Sequence, residues 1–376
     1  MKCPRCGADG ATKNGTGRCF CKTCGKFGVI RPQDREDQLL AAKGGWAPDC
    51  QLVHPAAPGF EVRGTSTLYR EDGTVAAQWV KTRQDDAAMA AAMESAIVAL
   101  AEKIPREKAR PAPKRTLDDL ANVYVLTDYH LGMLAWGEET GADWDIKIAE
   151  DMLVDWFAAA IAAGPAAKVG VLAQLGDLLH WDGLESVTPT SGHVLDADSR
   201  FQKLIRVAIR VIRRVIGMLL DRHEIVHVVM AEGNHDLAGS AWMREWLSAM
   251  YENEPRVSVD TSPDPYYCYE HGQTALFFHH GHKKRMAQID TVFAAKFREV
   301  FGRTKHAYAH MGHLHHIDVK ETNLMVIEQH RTLAAPDAHA SRGGWMSGRD
   351  ACVITYSKKH GEVGRVRINS QMLEAA

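Results

Sequence analysis

"EIVHVVMAEGNHD", residues 224–236, joins a short apolar run to polar residues that have the chemistry of metal ligands. Four other stretches have the same form: NVYVLTD (122–128), KVGVLAQLGD (168–177), TALFFHHGH (274–282) and AYAHMGHLHH (307–316). Their apolar runs alternate with helical patterns, which predicts the buried strands of an α/β domain. Active sites of α/β sheets gather where strands end, so we expect the five polar clusters to converge.

The polar clusters contain carboxylate, imidazole and amide side chains. Their members are Asp128 and His130; Asp177 and His180; Asn234, His235 and Asp236; His280 and His282; and His313 and His315. This mixture of ligand types suits Mn²⁺, Fe or Zn. In Asp-x-His and His-x-His, residues i and i+2 of an extended strand end point the same way. One such histidine alone is most simply a buried core residue, whereas five clusters together predict a metal site.

The ordered set D-x-H, G-D, G-N-H-D, H-G and G-H-x-H spans roughly residues 120–318 and resembles the calcineurin-like metallophosphoesterase superfamily. Within it, DYHLG, GDLLH and GHLH are most similar to the SbcD-type DNA repair nucleases and their phage-encoded relatives. The chain has GDLLHWDG and GNHD where serine/threonine phosphatases have G-D-x-V-D-R-G and G-N-H-E, which counts against a protein phosphatase. The resemblance implies a four-layer α/β/β/α sandwich over residues 117–376.

The resemblance also implies a ligand set for two divalent metal ions. One would be held by Asp128, His130, Asp177 and His315, and the second by Asp177 as a bridge, Asn234, His280 and His313. We expect Mn²⁺, with Fe or Zn as alternatives, and two such ions about 3.5–4 Å apart would share a hydroxide nucleophile. His235 would be the general acid and His180 would orient it.

Two assignments stay open at this stage. His279 and His282 neighbour His280 and have the same chemistry, and strand alternation would place His282 with His280 and His279 on the other side. Asp236 either orients His235 or caps a helix that begins at Leu237.

Two CxxC pairs near the start of the chain predict a zinc site. The pairs are Cys3 with Cys6 and Cys21 with Cys24, separated by fourteen residues. Four thiolates on two such turns suit tetrahedral zinc. We therefore predict a zinc ribbon over residues 1–30 with one structural Zn²⁺, and Cys19 as a free thiol. The segment resembles the zinc ribbons of some transposase-type and phage DNA-binding proteins.

The zinc ribbon is also basic. Residues 1–31 contain seven Lys or Arg and one acidic residue. This charge suits contact with phosphates, although a solvated basic face would have the same composition.

Residues 31–116 form a predicted accessory region of linkers, a β-hairpin and a helix. The hairpin covers residues 60–82 with Asp72-Gly73 as its turn, and an Ala/Met/Glu-rich helix follows over 85–104. Three further residues are candidates for substrate binding: His193 and Arg200 in the long loop after GDLLH, and Lys283 after the fourth cluster. Arg206, Arg210 and Arg213 lie on one stripe of the next helix, which we interpret as a solvated basic face.

Composition limits the partners and the compartment. The chain has 376 residues and a formal net charge of −2, so no global basic field indicates nucleic acid. No apolar core follows Met1, and Pro165 and Lys168 interrupt the apolar stretch 156–173, so we expect no signal peptide, no membrane partner and a cytoplasmic setting. The sequence does not specify an oligomeric state.

Three functions compete. The first is a two-metal phosphodiesterase that acts on DNA, a nuclease. The second keeps the metals but acts on a small phosphoester or a cyclic nucleotide. The third is a non-catalytic DNA-binding or scaffold protein, against which every ligand position of the family pattern is filled.

Overall fold

A computed structural model describes residues 106–189 and 191–374, together with the short segments 12–13, 19–21, 25–27, 60–69 and 75–84. The chain divides into two compact units, Met1–Glu94 and Ser95–Ala376. Cys3, Cys6, Cys24 and the predicted helix over 85–104 lie outside the described residues.

The described strands, in chain order, are β1 (Thr12–Lys13), β2 (Cys19–Cys21), β3 (Gly25–Phe27), β4 (Phe60–Tyr69), β5 (Val75–Gln84), β6 (Leu117–Leu126), β7 (Ala167–Gln174), β8 (Ile225–Met230), β9 (Val257–Val259), β10 (Tyr267–His271), β11 (Thr274–His279), β12 (His306–Met311), β13 (Asp318–Glu321), β14 (Val326–Gln329), β15 (Asp350–Ser357) and β16 (Gly361–Asn369). The described helices are α1 (Gly137–Thr140), α2 (Ile146–Ala163), α3 (Phe201–Arg222), α4 (Leu237–Met250), α5 (Met286–Lys296), α6 (Arg298–Arg303), α7 (Ala338–Gly343) and α8 (Gln371–Glu374). None of these helices is long and apolar enough to cross a membrane.

The first unit contains two small antiparallel sheets. β1, β2 and β3 form a three-stranded sheet in which Cys21 pairs with Gly25. β4 and β5 form the hairpin that the sequence predicts, with Phe60 opposite Gln84 and its turn outside the described residues. The short strands β1 to β3 do not test the zinc ribbon, which stays a prediction.

The first sheet of the second unit has the order β16-β15-β6-β7-β8-β9. β6, β7, β8 and β9 are parallel, because helices α2 and α3 return the chain across the same face. Alternate residues of β6 face opposite ways: Val123 and Val125 join the core between the sheets, whereas Tyr124 and Leu126 pack with the outer helices. A strand that is buried on both faces reads as a continuous apolar run, as all five predicted strands do.

The second sheet has the order β10-β11-β12-β14-β13, with β11, β12 and β14 parallel. The strands after His316 do not all belong to this sheet. β14 joins it, but β15 and β16 extend the first sheet beside β6. The reason is that β15 is buried on both faces, with Val353 toward the helices and Ile354 toward the second sheet, so it fits only inside the larger sheet.

The two sheets face each other, and helices cover their outer faces. Residues such as Val171, Phe278 and Tyr356 fill the core between the sheets. α2, α3 and α4 pack on the first sheet, and Phe293 of α5 packs on Phe277 of the second. The predicted four-layer α/β/β/α sandwich is therefore confirmed for the second unit.

A buried polar cluster connects the two sheets through hydrogen bonds between β14 and β16. Glu328 of β14 receives two hydrogen bonds from Arg365 of β16, at 2.6 and 2.9 Å. His310 lies beside it, 2.9 Å from His330 and 3.0 Å from the hydroxyl of Tyr356. Burial opposes the charge on Glu328, but His330 and Arg365 outweigh it and hold the pKa of this carboxyl at about 2, below its usual 4.5.

Replacing Glu328 with glutamine is expected to lower the free energy of unfolding at neutral pH by roughly 2–3 kcal/mol, because Arg365 loses its buried partner. The wild-type carboxylate contributes stability above the unfolded pKa, so the difference should shrink as pH falls from about 4.5 toward 2. Urea unfolding across this range measures it. Glu362→Gln is the matched control, since Glu362 bonds the same Arg365 nearer the surface and should cost under about 1 kcal/mol. Equal losses from both variants would contradict the prediction.

Candidate metal centre

The five predicted loops converge at one edge of the sandwich, where β6, β7, β8, β11 and β12 end. The backbone at this edge is unusual. Among the described residues, five that are not glycine have positive φ, and all five are predicted metal ligands: Asp128 (50°), His130 (48°), Asp177 (53°), His313 (76°) and His315 (55°). Such conformations cost of order 1–2 kcal/mol each and persist where the surroundings enforce them, as at functional sites.

Glycines allow the loops to approach one another closely. A Cβ on Gly233 would overlap the carboxylate of Asp177, and one on Gly312 would overlap the hydroxyl of Thr127 and crowd Asp128. The glycines of GNHD and GHLH are therefore required for contact between strand ends rather than for turning alone.

The predicted ligands form two neighbouring groups. In the first, Asp128, His130 and His315 bring one ligand atom each to within 4.8 Å of one another. In the second, Asp177, His280 and His313 do the same. The groups adjoin, because Nε2 of His280 lies 3.1 Å from Oδ2 of Asp177 and 3.9 Å from Oδ1 of Asp128. Asn234 completes the second group, with its Oδ1 3.1 Å from the same nitrogen.

Hydrogen bonds aim the ligand atoms at this centre. Oδ2 of Asp128 accepts from the hydroxyl of Thr127 at 2.6 Å and from the amide of His313 at 2.8 Å, which leaves Oδ1 for His315 at 3.1 Å. Oδ1 of Asp177 accepts from the amide of His235 at 2.8 Å, which leaves Oδ2 for the centre. Outer contacts of this kind fix the geometry of ligands in metal sites.

The donor set fits divalent cations. Asp128 and Asp177 are 0% and 2% exposed, and in the part of the chain that the structure describes neither pairs with a lysine or arginine. Buried carboxylates require compensating positive charge, which the histidines supply only when protonated. Cations bound between carboxylate, imidazole and amide lone pairs would supply it and leave the imidazoles neutral.

The pKa values of Asp128 and His280 are shifted by the close approach of carboxylates and imidazoles at the centre. Burial opposes ionisation of Asp128, yet His315 and His280 hold the pKa of this carboxyl below its usual range. His280 responds in the opposite sense: despite burial, Asp177 and Asp128 raise its pKa to about 9. A cation on Nε2 would replace that proton, so metal binding and protonation compete at this nitrogen.

His280 is the histidine of its loop that faces the centre. Its Nδ1 donates to the carbonyl of Leu175 at 2.9 Å, which frees Nε2. His279 accepts from the amide of Gly281 and stacks on Tyr266, away from the carboxylates. The ring of His282 lies close to both neighbours, with its centroid 5.3 Å from that of His280 and 5.9 Å from that of His279, so alternation does not separate it cleanly from His279. β11 ends at His279, so the period of two no longer applies beyond it.

His235 and His180 stack above the first group, with ring centroids 5.7 Å apart and planes at 20°. Nδ1 of His235 donates to the main-chain carbonyl of His180 at 2.8 Å. His180 therefore contacts His235 through its backbone and ring face, while its own Nδ1 lies 3.3 Å from Nδ1 of His130. Burial, together with His235, lowers the pKa of His180 to about 3, so His180 is neutral.

The side chain of Asp236 neither orients His235 nor caps the helix that begins at Leu237, the two roles that the sequence suggested. Its carboxylate is buried and accepts from three amides, of Gly233 (3.0 Å), Asp177 (3.2 Å) and Leu179 (3.1 Å), and so joins the GNHD and GDLLH loops. The start of α4 is capped by Asp182, which accepts from Ala238 and Gly239. Burial and the nearby Asp177 raise the pKa of Asp236 to about 7.

The remaining histidines of residues 306–316 belong to neither ligand group of the centre. His306 donates to the carbonyl of Lys359, and His310 belongs to the buried polar cluster. His316 is exposed; its Nδ1 donates to the carbonyl of Leu314, and its own carbonyl accepts from the side chain of Gln329.

A cavity of about 730 Å³ opens onto the centre. The predicted residues His130, Asp177, Asn234, His235, His313 and His315 line one side. The three candidates for substrate binding, His193, Arg200 and Lys283, are not among the lining residues. The cavity is also lined by Leu314, His316 and a segment that sequence reasoning missed, Thr332–Arg349, which carries Trp345 and Met346. Thr332 anchors it to the centre by donating to the carbonyl of Asp128 at 2.6 Å.

The fold and the site together define an α/β/β/α protein with a buried, carboxylate- and histidine-rich centre for divalent cations. A scan against protein-family models finds no match, and neither does a search of curated proteins.

Several solved structures are similar at low identity. A predicted phosphoesterase from Streptococcus pneumoniae matches with 11% identity and a TM-score of 0.29 over 66% of this chain and 98% of that chain. Vps29 with Zn²⁺ from Entamoeba histolytica matches with 11% identity and a TM-score of 0.28, over 67% of this chain and 99% of that chain. A novel archaeal phosphodiesterase matches with 14% identity and a TM-score of 0.32, over 66% of this chain and 99% of that chain.

Proposed function

We propose that this protein is a metal-dependent phosphodiesterase with two divalent ions, Mn²⁺ by preference, and that its substrate is DNA. One observation carries the proposal: the five residues with left-handed backbone are all predicted ligands, and two of them are the buried carboxylates Asp128 and Asp177. Purely structural polar clusters have no need of such strain.

The metal ions, when bound, would supply Lewis acidity and an activated water for attack on phosphorus. Asp128, Asp177 and Asn234 would hold them with the imidazoles of His130, His280, His313 and His315. His235 lies at the cavity wall with its Nδ1 donating to the carbonyl of His180, which leaves Nε2 free; as the imidazolium, this ring would donate the Nε2 proton to the leaving oxygen.

DNA is favoured by the distribution of positive charge. Lys283, Lys284 and Arg285 are exposed directly after the loop of His280. The basic residues 1–31 add further positive groups. Arg210 and Arg213 of α3 do not, because the first pairs with Glu150 and the second with Glu107. Such groups bind a phosphate backbone without reading its sequence.

A small phosphoester is the second candidate, and one observation favours it. Arg349 is the only Lys or Arg among the residues that line the cavity, and it is engaged with the carbonyl of Leu333 and the ring of Trp144. The cavity itself therefore offers little to a second phosphate. A substrate with one phosphate inside the cavity would meet this condition.

A substrate panel tests the proposal. Wild-type protein loaded with Mn²⁺ is assayed on end-labelled and circular DNA, on bis-p-nitrophenyl phosphate and on cyclic nucleotides, with and without chelator. We expect Mn²⁺-dependent cleavage of DNA that the chelator abolishes. If small esters are hydrolysed and DNA is not, the second candidate replaces DNA as the substrate. If no ester of any kind is hydrolysed in a metal-dependent way, the proposed phosphodiesterase activity is rejected.

Reversing the charge at Lys283 and Lys284 is expected to reduce DNA cleavage about tenfold at moderate salt and to flatten its salt dependence, because two phosphate contacts are lost. Hydrolysis of bis-p-nitrophenyl phosphate should stay within twofold. The double variant Lys283→Glu/Lys284→Glu is compared with Lys305→Glu, an exposed lysine just before β12, at the opposite end of that strand from the site. An equal loss in Lys305→Glu, or an equal loss on both substrates, would count against a DNA-binding role.

A further inference from the structure

The cavity that opens onto the metal ligands is also lined by an aromatic side chain that no part of the proposed chemistry uses. Trp345 is 62% exposed and its neighbour Met346 is 96% exposed. Large apolar side chains are usually buried, and exposed ones beside a cavity indicate a binding surface. Trp345 lines the same cavity as His235 and the metal ligands, so whatever binds the centre can reach it.

Trp345 is held in place before any ligand binds. It follows α7, whose last turn ends at Gly344 in the left-handed region (φ 70°), and its amide donates to the carbonyl of Ala340 at 3.1 Å. The His339 ring packs edge-on at 5.0 Å, and the Trp345 ring lies close enough to Gly343 that a Cβ there would crowd it. An ordered aromatic ring loses little entropy when a ligand stacks on it.

The segment that carries Trp345 is tied to the fold at both sides. Thr332 bonds the carbonyl of Asp128, and the amide of Asp350 donates to the carbonyl of Thr332 at 3.1 Å. On the outer side, Ser341 and Arg342 of α7 bond Glu139 of α1, at 2.8 Å and 2.7 Å. The ring is therefore fixed in distance from the metal ligands.

The chemistry of the cavity lining selects the kind of group that binds it. Its one Lys or Arg is Arg349, which the carbonyl of Leu333 and the ring of Trp144 already engage. A second phosphate would therefore find no cation there, whereas a flat aromatic group would find the indole face and Met346. The volume of about 730 Å³ lies within the range of small-molecule sites, about 300–1,000 Å³.

We propose that Trp345 stacks on the nucleobase next to the phosphate held at the metal centre, and so makes the site selective for nucleotide esters. The proposal rests on the proposed function, since the centre must hold the phosphate. It names a base-binding subsite that serves both a DNA strand and a mononucleotide.

Calorimetric titration of the Mn²⁺-loaded protein tests this subsite. The probes are 5′-dAMP and 2-deoxyribose 5-phosphate, which share the phosphate and the sugar but differ in the base. Stacking of a base on an aromatic side chain corresponds to roughly a factor of ten or more in affinity. We expect dAMP to bind wild type about tenfold more tightly, Trp345→Ala to remove the difference, and Trp345→Phe to keep most of it.

Trp136→Ala is the matched control, because Trp136 is 59% exposed on the same unit but does not line the cavity. It should leave the preference for dAMP unchanged. A second arm separates the two sources of the base: Trp345→Ala should raise KM about tenfold for a single-stranded oligonucleotide but not for an abasic one. An effect on dAMP alone assigns the subsite to mononucleotides, and an effect on both probes assigns it to strands as well.

The inference is overturned if wild type shows no preference for dAMP, if Trp345→Ala keeps the preference, or if Trp136→Ala removes it equally. Hydrolysis of bis-p-nitrophenyl phosphate by the same preparations reports on the proposed function separately. Normal hydrolysis without base preference would reject the subsite alone. Base preference without hydrolysis of any ester would reject the phosphodiesterase and leave the subsite standing.

Discussion

Replacing Asp177 with asparagine is expected to abolish metal-dependent hydrolysis, with kcat/KM lower by roughly 10³-fold or more. Asp177 is buried at the junction of the two ligand groups, 3.1 Å from His280, and its amide and Oδ1 are bonded within the neighbouring loops. The variant keeps the shape of the side chain but removes the charge. A metal interaction worth several kcal/mol is lost, and each 1.36 kcal/mol is a factor of ten in rate.

Asp182→Asn is the matched control for this variant. Asp182 lies in the same loop and accepts from the first amides of α4, so its loss should cost about 1 kcal/mol of stability and little activity. Both variants are assayed for bound Mn²⁺, for bis-p-nitrophenyl phosphate turnover and for unfolding in urea. Robust cleavage by Asp177→Asn with full metal content would contradict the two-metal mechanism.

His235→Asn separates metal binding from proton transfer in the same assays. His235 is not a predicted ligand, so Mn²⁺ content should be unchanged while kcat falls by about 10²–10⁴-fold, the range for a general acid. Loss of metal from this variant would instead make His235 a ligand, as its place in a group with His130 and His180 would allow.

The sequence predicts the strand ends and their side chains well because both have strong local signals. Each ligand follows an apolar run, and parallel strands bring their carboxyl ends to one edge of the sheet. The strands at 167–174 and 225–230 coincide with the predicted apolar runs, and the strand at 117–126 contains the predicted run from Asn122 but begins earlier, at Leu117. The fold class follows from the same pattern.

Other features could not be predicted, since they depend on contacts between distant residues. Asp236 has an ordinary capping pattern, and only the approach of the GDLLH loop gives it three other donors. Thr332 and Trp345 have no motif, and they matter because the chain returns past Asp128 before β15. β15 itself reads as a strand, but no local signal says which sheet it joins.

The density of histidines in residues 306–316 leads to the second large effect, which compares two adjacent residues. Nε2 of His315 lies 3.1 Å from Oδ1 of Asp128, and the pKa of His315 is raised because Asp128 outweighs the effect of burial. His316 is exposed and belongs to neither ligand group; its ring bonds the carbonyl of Leu314. We expect His315→Asn to lose about one equivalent of bound metal and at least about 10²-fold in kcat/KM, and His316→Asn to stay within about threefold of wild type.

Asparagine is the appropriate substitute because it tolerates the left-handed backbone that His315 adopts (φ 55°), so the loss reports on the imidazole rather than on the turn. Metal content after gel filtration and turnover with increasing Mn²⁺ are measured together. If high Mn²⁺ partly restores His315→Asn, the imidazole acts by holding the ion, whereas rescue should be absent for Asp177→Asn, where the shared charge is gone. Equal losses from His315→Asn and His316→Asn would mean that the loop as a whole, and not the first ligand group, requires its histidines.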